Sequence, residues 1–458
     1  MSSHQDVADL NIFNEINVGK DLFKDEIISK TYSEAELIAK KVINHGQMPF
    51  QWDRVLDNIL TSGLFGYPIM ILLLVVVLWI TITGANYPSA FLAAVLFSIQ
   101  EWLSSLSLWQ LLPDWIHGFL VLGVFRCVAW VVSVMLPPMA IFFPLFTIME
   151  DMGYLPRVAF NLDNIFRKAG AHGKQALTMC MGFGCNAAGV ISCRIIGSPR
   201  ERLIAILTNN FVPCNGRFPL LIILSTIFIG SAVPHSHHFV AALALTGIIL
   251  TGITVTLVVS YILSKTLLKG MPSFFALELP PYRKPLVGRI IIRSIFDRTI
   301  FVLGRALLVA SPVGGIIWVL ANSYIGEANL LTIAATYLDP AGRIIGMDGI
   351  ILMAFILALP ANEIVLPLII MGYTSMGIMT HIGSITELAT LLVEDQGWTW
   401  ITAVSVMLFS LLHYPCGTTL ITINKETHSI KWTIMAFLIP LSIALAVCFL
   451  FTQLASWL

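Results

Sequence analysis

The feature that most constrains this chain is a series of apolar runs of bilayer length, broken at a few places by glycine, proline, cysteine and asparagine. Residues 67–83 form the first, continuous enough with their flanks to cross once. A soluble protein could bury a few such runs, but it would need a charged surface to cover them. Of the 458 residues, 57% are apolar and 11% charged, and the mean hydropathy is +0.85. Soluble domains carry about 25% charge. The expected class is therefore an all-α polytopic membrane protein. A net charge of zero gives no support for nucleic-acid binding.

Residues 1–61 read as a short cytoplasmic or amphipathic arm with no early apolar core, and so not as a cleaved signal peptide. Ser33, with Glu36 three residues later, predicts an N-cap for a helix over 32–43. Residues 62–264 form a first membrane half, 265–298 a basic connector and 299–458 a second half. Within the first half, 89–115 reads as an interfacial or partly embedded helix on the far side, because its tryptophans favour the headgroup region. The run 119–149 carries Pro137, Pro138 and Pro144, predicting a kinked span or two half-helices. Arg126 inside it needs a partner or a watery route. Residues 176–196 are short, glycine-broken and flanked by basic turns, which suggests a re-entrant hairpin. With 203–230, 239–263, 300–321, 349–371, 399–421 and 433–451, about eight full spans are expected. Basic loops at 157–174, 194–202 and 265–298 place these turns and both termini in the cytoplasm, with 231–238 outside.

Polar groups inside such runs are costly in lipid and usually mark a solute path. Cys185 and Asn186 follow the break Gly182-Phe-Gly184, where freed backbone and a sulfur can meet an ion. Cys214 and Cys416 each follow a proline that loosens the helix. Thiolate sulfur suits a soft or borderline cation, so these three are the candidate metal ligands. Cys127, Cys180, Cys193 and Cys448 are better explained by packing. Asn209 and Asn210 could offer carbonyl oxygens to an ion or join neighbouring helices. Glu363 could line an ion route, take a proton, or pair with Arg126 or Arg305. His235, His237 and His238 resemble an outer metal-collecting loop. His117 and His413 are compatible with the membrane interface. No nucleophile–base arrangement emerges, so no enzyme is expected, and no permanently bound cofactor. Val212-Pro213-Cys214 and Tyr414-Pro415-Cys416 echo one another as inverted repeats would.

Taken together, several motifs resemble the membrane domain of the ferrous iron transport protein B family (FeoB). They are Trp52-Asp-Arg-Val-Leu, Met149-Glu-Asp-Met-Gly-Tyr, Gly182-Phe-Gly-Cys-Asn, Pro213-Cys214 with Arg217, Leu277-Glu-Leu-Pro-Pro-Tyr-Arg, Ala361-Asn-Glu, and Tyr414-Pro-Cys-Gly followed by Glu426. The resemblance implies Fe(II) uptake across a prokaryotic cytoplasmic (inner) membrane through two opposed gate-like repeats. It implies that Cys185 is the gate cysteine and that Cys214 and Cys416 belong to the two later proline motifs. Family members carry a fused GTPase domain before this region, where only a short arm stands here. GTP hydrolysis is therefore not assigned to this polypeptide, and the expected partners are ferrous iron, lipids and a separate GTPase or small regulatory protein. A homo-oligomer is also compatible. Ala361-Asn362-Glu363 stands where the family usually has Ala-Lys-Glu. The alternative functions are transport of a nucleoside or other small polar solute, and a non-transporting regulatory subunit.

Overall fold

A computed structural model describes residues 30–38, 52–230, 237–270, 282, 285–326, 328–375, 377–379 and 385–457. The chain divides into two compact units, residues 1–59 with 273–278, and residues 60–272 with 279–458. In the first unit the described residues, 30–38 and 52–59, are helical. Ser33 does not cap its helix. Lys30 is already helical, and the Ser33 hydroxyl donates to the Lys30 carbonyl at 2.8 Å.

The main helices of the second unit are α1 (Gly66–Ser104), α2 (Asp114–Asp151), α3 (Tyr154–Lys168), α4 (Gln175–Gly184), α5 (Asn186–Ser192), α6 (Pro199–Thr208), α7 (Phe218–Ile229), α8 (His237–Lys265), α9 (Phe301–Asn322), α10 (Leu330–Ile344), α11 (Gly349–Leu357), α12 (Asn362–Thr374), α13 (Trp400–Leu412), α14 (Gly417–Thr427) and α15 (Ile430–Ala455). A two-residue hairpin, Tyr324–Ile325 with Ala328–Asn329, accompanies them. Among the described residues, six segments are long and apolar enough to cross a membrane: α1, α2, α8, α9, α13 with α14, and α15. A seventh appears if α10 and α11, bent by 109°, count as one.

The expectation of about eight counted 203–230 and 349–371 as full crossings. Both are interrupted. The chain leaves the helix at Asn209–Phe211 before α7, and between α11 and α12 at Ala361. Half-helices of this length cannot span alone. The interfacial or partly embedded helix expected at 89–115 is not a separate element: α1 runs through Pro88 to Ser104, so 89–104 continue the first span.

Burial separates the two kinds of helix. The most apolar stretches of α1 and α15 are only 19% and 22% buried, while that of α13–α14 is 72% buried. Leu72, Trp79, Tyr87 and Phe91 of α1 are exposed, as suits a lipid-facing wall. Broken backbone is tolerated at membrane depth only inside protein or along a cavity, so the interrupted helices belong in the interior.

The two halves repeat a local design. At the end of α3, Asp163 pairs with Arg167 and its Oδ1 accepts from the Gly173 amide at 3.2 Å; Gly170 is left-handed (φ 71°). At the end of α10, Asp339 pairs with Arg343 and its Oδ1 accepts from the Gly349 amide at 3.1 Å; Gly346 is left-handed (φ 76°). Each pair is offset by 176 residues (339 − 163). The glycines end their helices where a side chain would be strained, and each aspartate accepts from an amide just before or at the start of the next helix. The same offset carries Cys185-Asn186 onto Ala361-Asn362, the two helix breaks. Arg194, just beyond α5, and Glu426 in α14 tie the halves together by two hydrogen bonds of 2.8 and 2.7 Å.

Candidate functional site

Each half brings two chain breaks together. Cys185 is a single extended residue between α4 and α5 (φ −156°, ψ 125°), and Ala361 is its counterpart before α12 (φ −150°, ψ 118°). The freed Gly184 carbonyl accepts from the Asn215 amide at 3.3 Å. In the other half the Leu359 carbonyl accepts from the Gly417 amide at 2.6 Å. Thus the amides just after Pro213-Cys214 and Pro415-Cys416 satisfy the carbonyls left open by the first breaks, as a buried backbone requires.

A small cavity lies where the four breaks meet. Its volume is about 20 Å³, room for one water-sized body. Cys185, Cys214 and Cys416 all line it, with Asn186, Asn362, Glu363, Thr418 and Thr419, and with Met135 and Met139 one turn apart on α2. The sequence therefore named three sulfurs that come together from both halves, and missed the two thioethers. All seven cysteines are free thiols. Cys185 and Cys416 hold the N-cap positions of α5 and α14. The Ala187 and Ala188 amides face the Cys185 sulfur, and Thr419 Oγ1 lies 3.3 Å from Cys416 Sγ. Such helix starts offset the negative charge of a metal-bound thiolate. Among the described residues, no three His, Cys, Asp or Glu side chains are arranged to hold a metal as they stand.

A second cavity of about 480 Å³ adjoins the first. Its walls are largely apolar, from α1, α2, α7 and α12, with Asn86, Ser89 and Trp130 among them. Asn215, Gly216, Asn362 and Glu363 line both cavities and so form the partition. A Cβ on Gly216 would overlap the Glu363 carboxylate, so glycine is needed for this approach. Neither basic partner suggested for Glu363 meets it in an ion pair among the described residues. Arg126 donates to the Met379 carbonyl at 2.6 Å, and Arg305 to Thr422 Oγ1 at 3.1 Å.

Asn209 and Asn210 do not line either cavity. Asn209 Nδ2 donates to the Asn186 carbonyl at 3.1 Å, and Asn210 Nδ2 to the His413 carbonyl at 2.5 Å. The Asn186 amide is best oriented with its nitrogen toward the Val212 and Gly182 carbonyls, at 3.3 and 3.2 Å. These amides bind the breaks to one another. Arg217, which sequence reading left as part of a motif, is the centre of this frame. It is 1% exposed. Its guanidinium donates to the carbonyls of Asn210 (2.7 Å), Leu411 (2.9 Å), His413 (3.3 Å) and Tyr414 (3.3 Å), and to Asn210 Oδ1 (3.0 Å). Both terminal nitrogens are thus satisfied, which makes burial of the cation tolerable, while the buried Nε has no partner among the described residues. The signal was available: an arginine directly after Pro-Cys-Asn-Gly within an apolar stretch. His413 is buried at 1% exposure, with Nδ1 against the Phe409 and Ser410 carbonyls. His235 lies outside the described residues, and of His237 and His238 only the backbone, opening α8, is described.

The chain is similar to known proteins in sequence. A Gate family model, described as nucleoside recognition, matches residues 132–228 and again 303–429. A second model, the ferrous iron transport protein B C terminus, matches residues 245–297. An Fe(2+) transporter FeoB of Staphylococcus aureus is 28% identical over 406 residues, 87% of this chain and 58% of the relative. One from Methanocaldococcus jannaschii is 26% identical over 480 residues, covering 99% and 68%. A Porphyromonas gingivalis fusion of Fe(2+) transport protein A with FeoB is 26% identical over 444 residues, covering 86% and 50%. The chain thus spans under two thirds of the length of the S. aureus relative it matches. No solved structure matches it. The cysteine cavity lies within two Gate repeats: Cys185 and Cys214 fall in the first, Glu363 and Cys416 in the second.

Proposed function

We propose that this chain, a polytopic transporter-like membrane domain that resembles the FeoB family, carries Fe(II) into the cytoplasm through the cysteine-lined cavity. The observation that carries this reading is the convergence of three thiols from two repeats on one cavity, behind a partition that holds a carboxylate. The larger cavity serves as a vestibule. Glu363 attracts the cation and replaces part of its water, and the sulfurs receive it beyond. Arg217 supplies a fixed positive charge near Cys214, Cys416 and Glu363 when no ion is present. Binding must stay weak enough for the ion to leave. Asn186 and Asn362 complete the lining, while Asn209 and Asn210 hold its frame. The proposed halves remain 62–264 and 299–458, joined by the connector 265–298. A separate GTPase or small regulatory protein is the proposed partner; one relative carries Fe(2+) transport protein A in the same polypeptide.

The test is anaerobic flux of Fe(II), Mn(II), Zn(II) and a nucleoside into proteoliposomes, with a partner added afterwards. Nucleoside transport is the second reading, favoured by the description of the Gate model. A cavity of about 480 Å³ is within the size range of small-molecule sites, whereas the cysteine cavity in this conformation admits only a water-sized body. Nucleoside flux without iron flux would reverse the order of the two readings.

Two further outcomes are expected. Gly216→Val should press on Glu363 and lower Fe(II) flux about tenfold or more, since overpacking at a tight contact displaces its neighbour. Flux normalised to monodisperse protein checks this. For orientation, a cysteine introduced at Gly197, where the surrounding space is open, should label from the cytoplasmic side. One at Leu111, 83% exposed beyond α1, should label from outside. The reverse pattern in a background depleted of native cysteines would invert the proposed topology.

A further inference from the structure

His413 lines neither of the two cavities, yet its ring decides what one cavity residue presents. It is buried at the end of α13, with the Phe355 and Phe409 rings packed against it. Its Nδ1 lies 3.0 and 2.9 Å from the Phe409 and Ser410 carbonyls, which can only accept. Nδ1 therefore carries a proton. Its Nε2 lies 3.3 Å from the arm of the Asn362 carboxamide placed as Oδ1, and the other arm faces the Cys214 sulfur. In a neutral ring Nε2 then has only a lone pair, and an oxygen there would oppose it. A proton on Nε2 would instead bury a second cation beside Arg217, whose guanidinium donates to the His413 carbonyl at 3.3 Å. Exchanging the two arms of Asn362 removes the conflict. Nδ2 then donates to Nε2, and Oδ1 turns to the Cys214 side, where the thiol can donate to it. Asn186, the equivalent residue 176 positions earlier (362 − 186), is likewise best oriented with its nitrogen toward the frame.

We propose that His413 is a positioning residue: its unprotonated Nε2 holds the Asn362 nitrogen and so keeps the Asn362 oxygen facing the cavity beside Cys214. This deepens the reading of that cavity as a solute path and rests on it. Asn362 lines both cavities and belongs to the partition between them. With its oxygen inward it offers lone pairs, which suit a cation or a solute bearing N–H or O–H donors. With its nitrogen inward it would repel a cation. A carboxamide without a fixed partner can present either arm. The histidine removes that choice without adding a charge to the path.

Nitrogen NMR of the full chain, with isotope-labelled histidine and in liposomes, reads the ring directly. The His413 signals are those that His413→Phe removes; His413→Gln serves for assignment if the phenylalanine variant does not fold. Near neutral pH they should show a protonated Nδ1 and an unprotonated Nε2. Asn362→Ala should move the Nε2 signal, because its donor is lost. A protonated Nε2 in wild type, as tautomer or imidazolium, overturns the inference. So does an Nε2 signal that Asn362→Ala leaves in place. Flux per inserted protein gives an independent reading. Asn362→Ala and His413→Phe should each lower Fe(II) flux about fivefold, the scale of one net hydrogen bond. The double variant should lose no more than Asn362→Ala alone, because the histidine acts through the asparagine. Losses that multiply overturn the positioning role. A wild type with neither Fe(II) nor nucleoside flux overturns the path reading, and the state of the ring then still decides this inference.

Discussion

Arg217→Met should leave little monodisperse protein, with a loss of about 3–5 kcal/mol, the scale for breaking a buried charge network. Methionine keeps much of the volume but none of the donors. The carbonyls of Asn210, Leu411, His413 and Tyr414 would lose the guanidinium that now meets them. In water such carbonyls recover a partner from solvent. Inside a membrane domain they do not, and each costs about 1–3 kcal/mol if nothing replaces the donor. Relaxation and alternative partners bring the sum down to the range given. Arg217→Lys should fall between, because three donors on one nitrogen cannot reach acceptors spread along the end of α13. Thermal unfolding followed by size-exclusion chromatography in detergent checks the order wild type, lysine, methionine. Equal stability of all three would remove Arg217 from the centre of the frame.

That arginine also shows what was legible in the sequence. Breaks were readable because glycine and proline announce them: Gly182-Phe-Gly184 before Cys185, and proline before Cys214 and Cys416. Membrane class followed from the scarcity of charge. Span number was overcounted because hydropathy joins two half-helices as readily as it marks one crossing, as at 203–230 and 349–371. Nothing in one-dimensional spacing brings Cys185 of one half beside Cys416 of the other. Only packing of α5 against α14 does so, and the Arg194–Glu426 pair marks that contact. The repeat itself was more legible than the proline–cysteine echo suggested. Asp-x-x-x-Arg-x-x-Gly-x-x-Gly occurs at Asp163 and again at Asp339, and its spacing alone aligns the halves. The burial of His413 was not legible, because hydropathy does not register the break that follows it or the helices packed around it.

Replacing the three cavity thiols together should reduce Fe(II) flux to the protein-free background. Cys185→Ser alone should lower it about tenfold or more, since hydroxyl oxygen is a harder and weaker donor to this ion than thiolate. Cys214→Ser and Cys416→Ser should fall between wild type and the triple variant. Cys448→Ser, buried against Ser405 in α13, should stay within about twofold because it exchanges one small buried group for another. Flux must be divided by the amount of monodisperse, inserted protein, since Cys185 is 7% exposed and its replacement also disturbs packing. Comparison with Cys185→Ala separates the two effects. A packing role predicts similar losses of stability and flux for both variants, whereas a ligand role predicts normal stability with weakened metal affinity for serine. The two helix starts add a sign to the argument: they favour negative charge at Cys185 and Cys416, so a thiolate formed on ion arrival is supported by α5 and α14. Binding should therefore release protons, and the release should diminish in the triple variant. Wild-type flux, metal affinity and proton release in the triple variant would sink the cysteine path and shift attention to Glu363 and the amides.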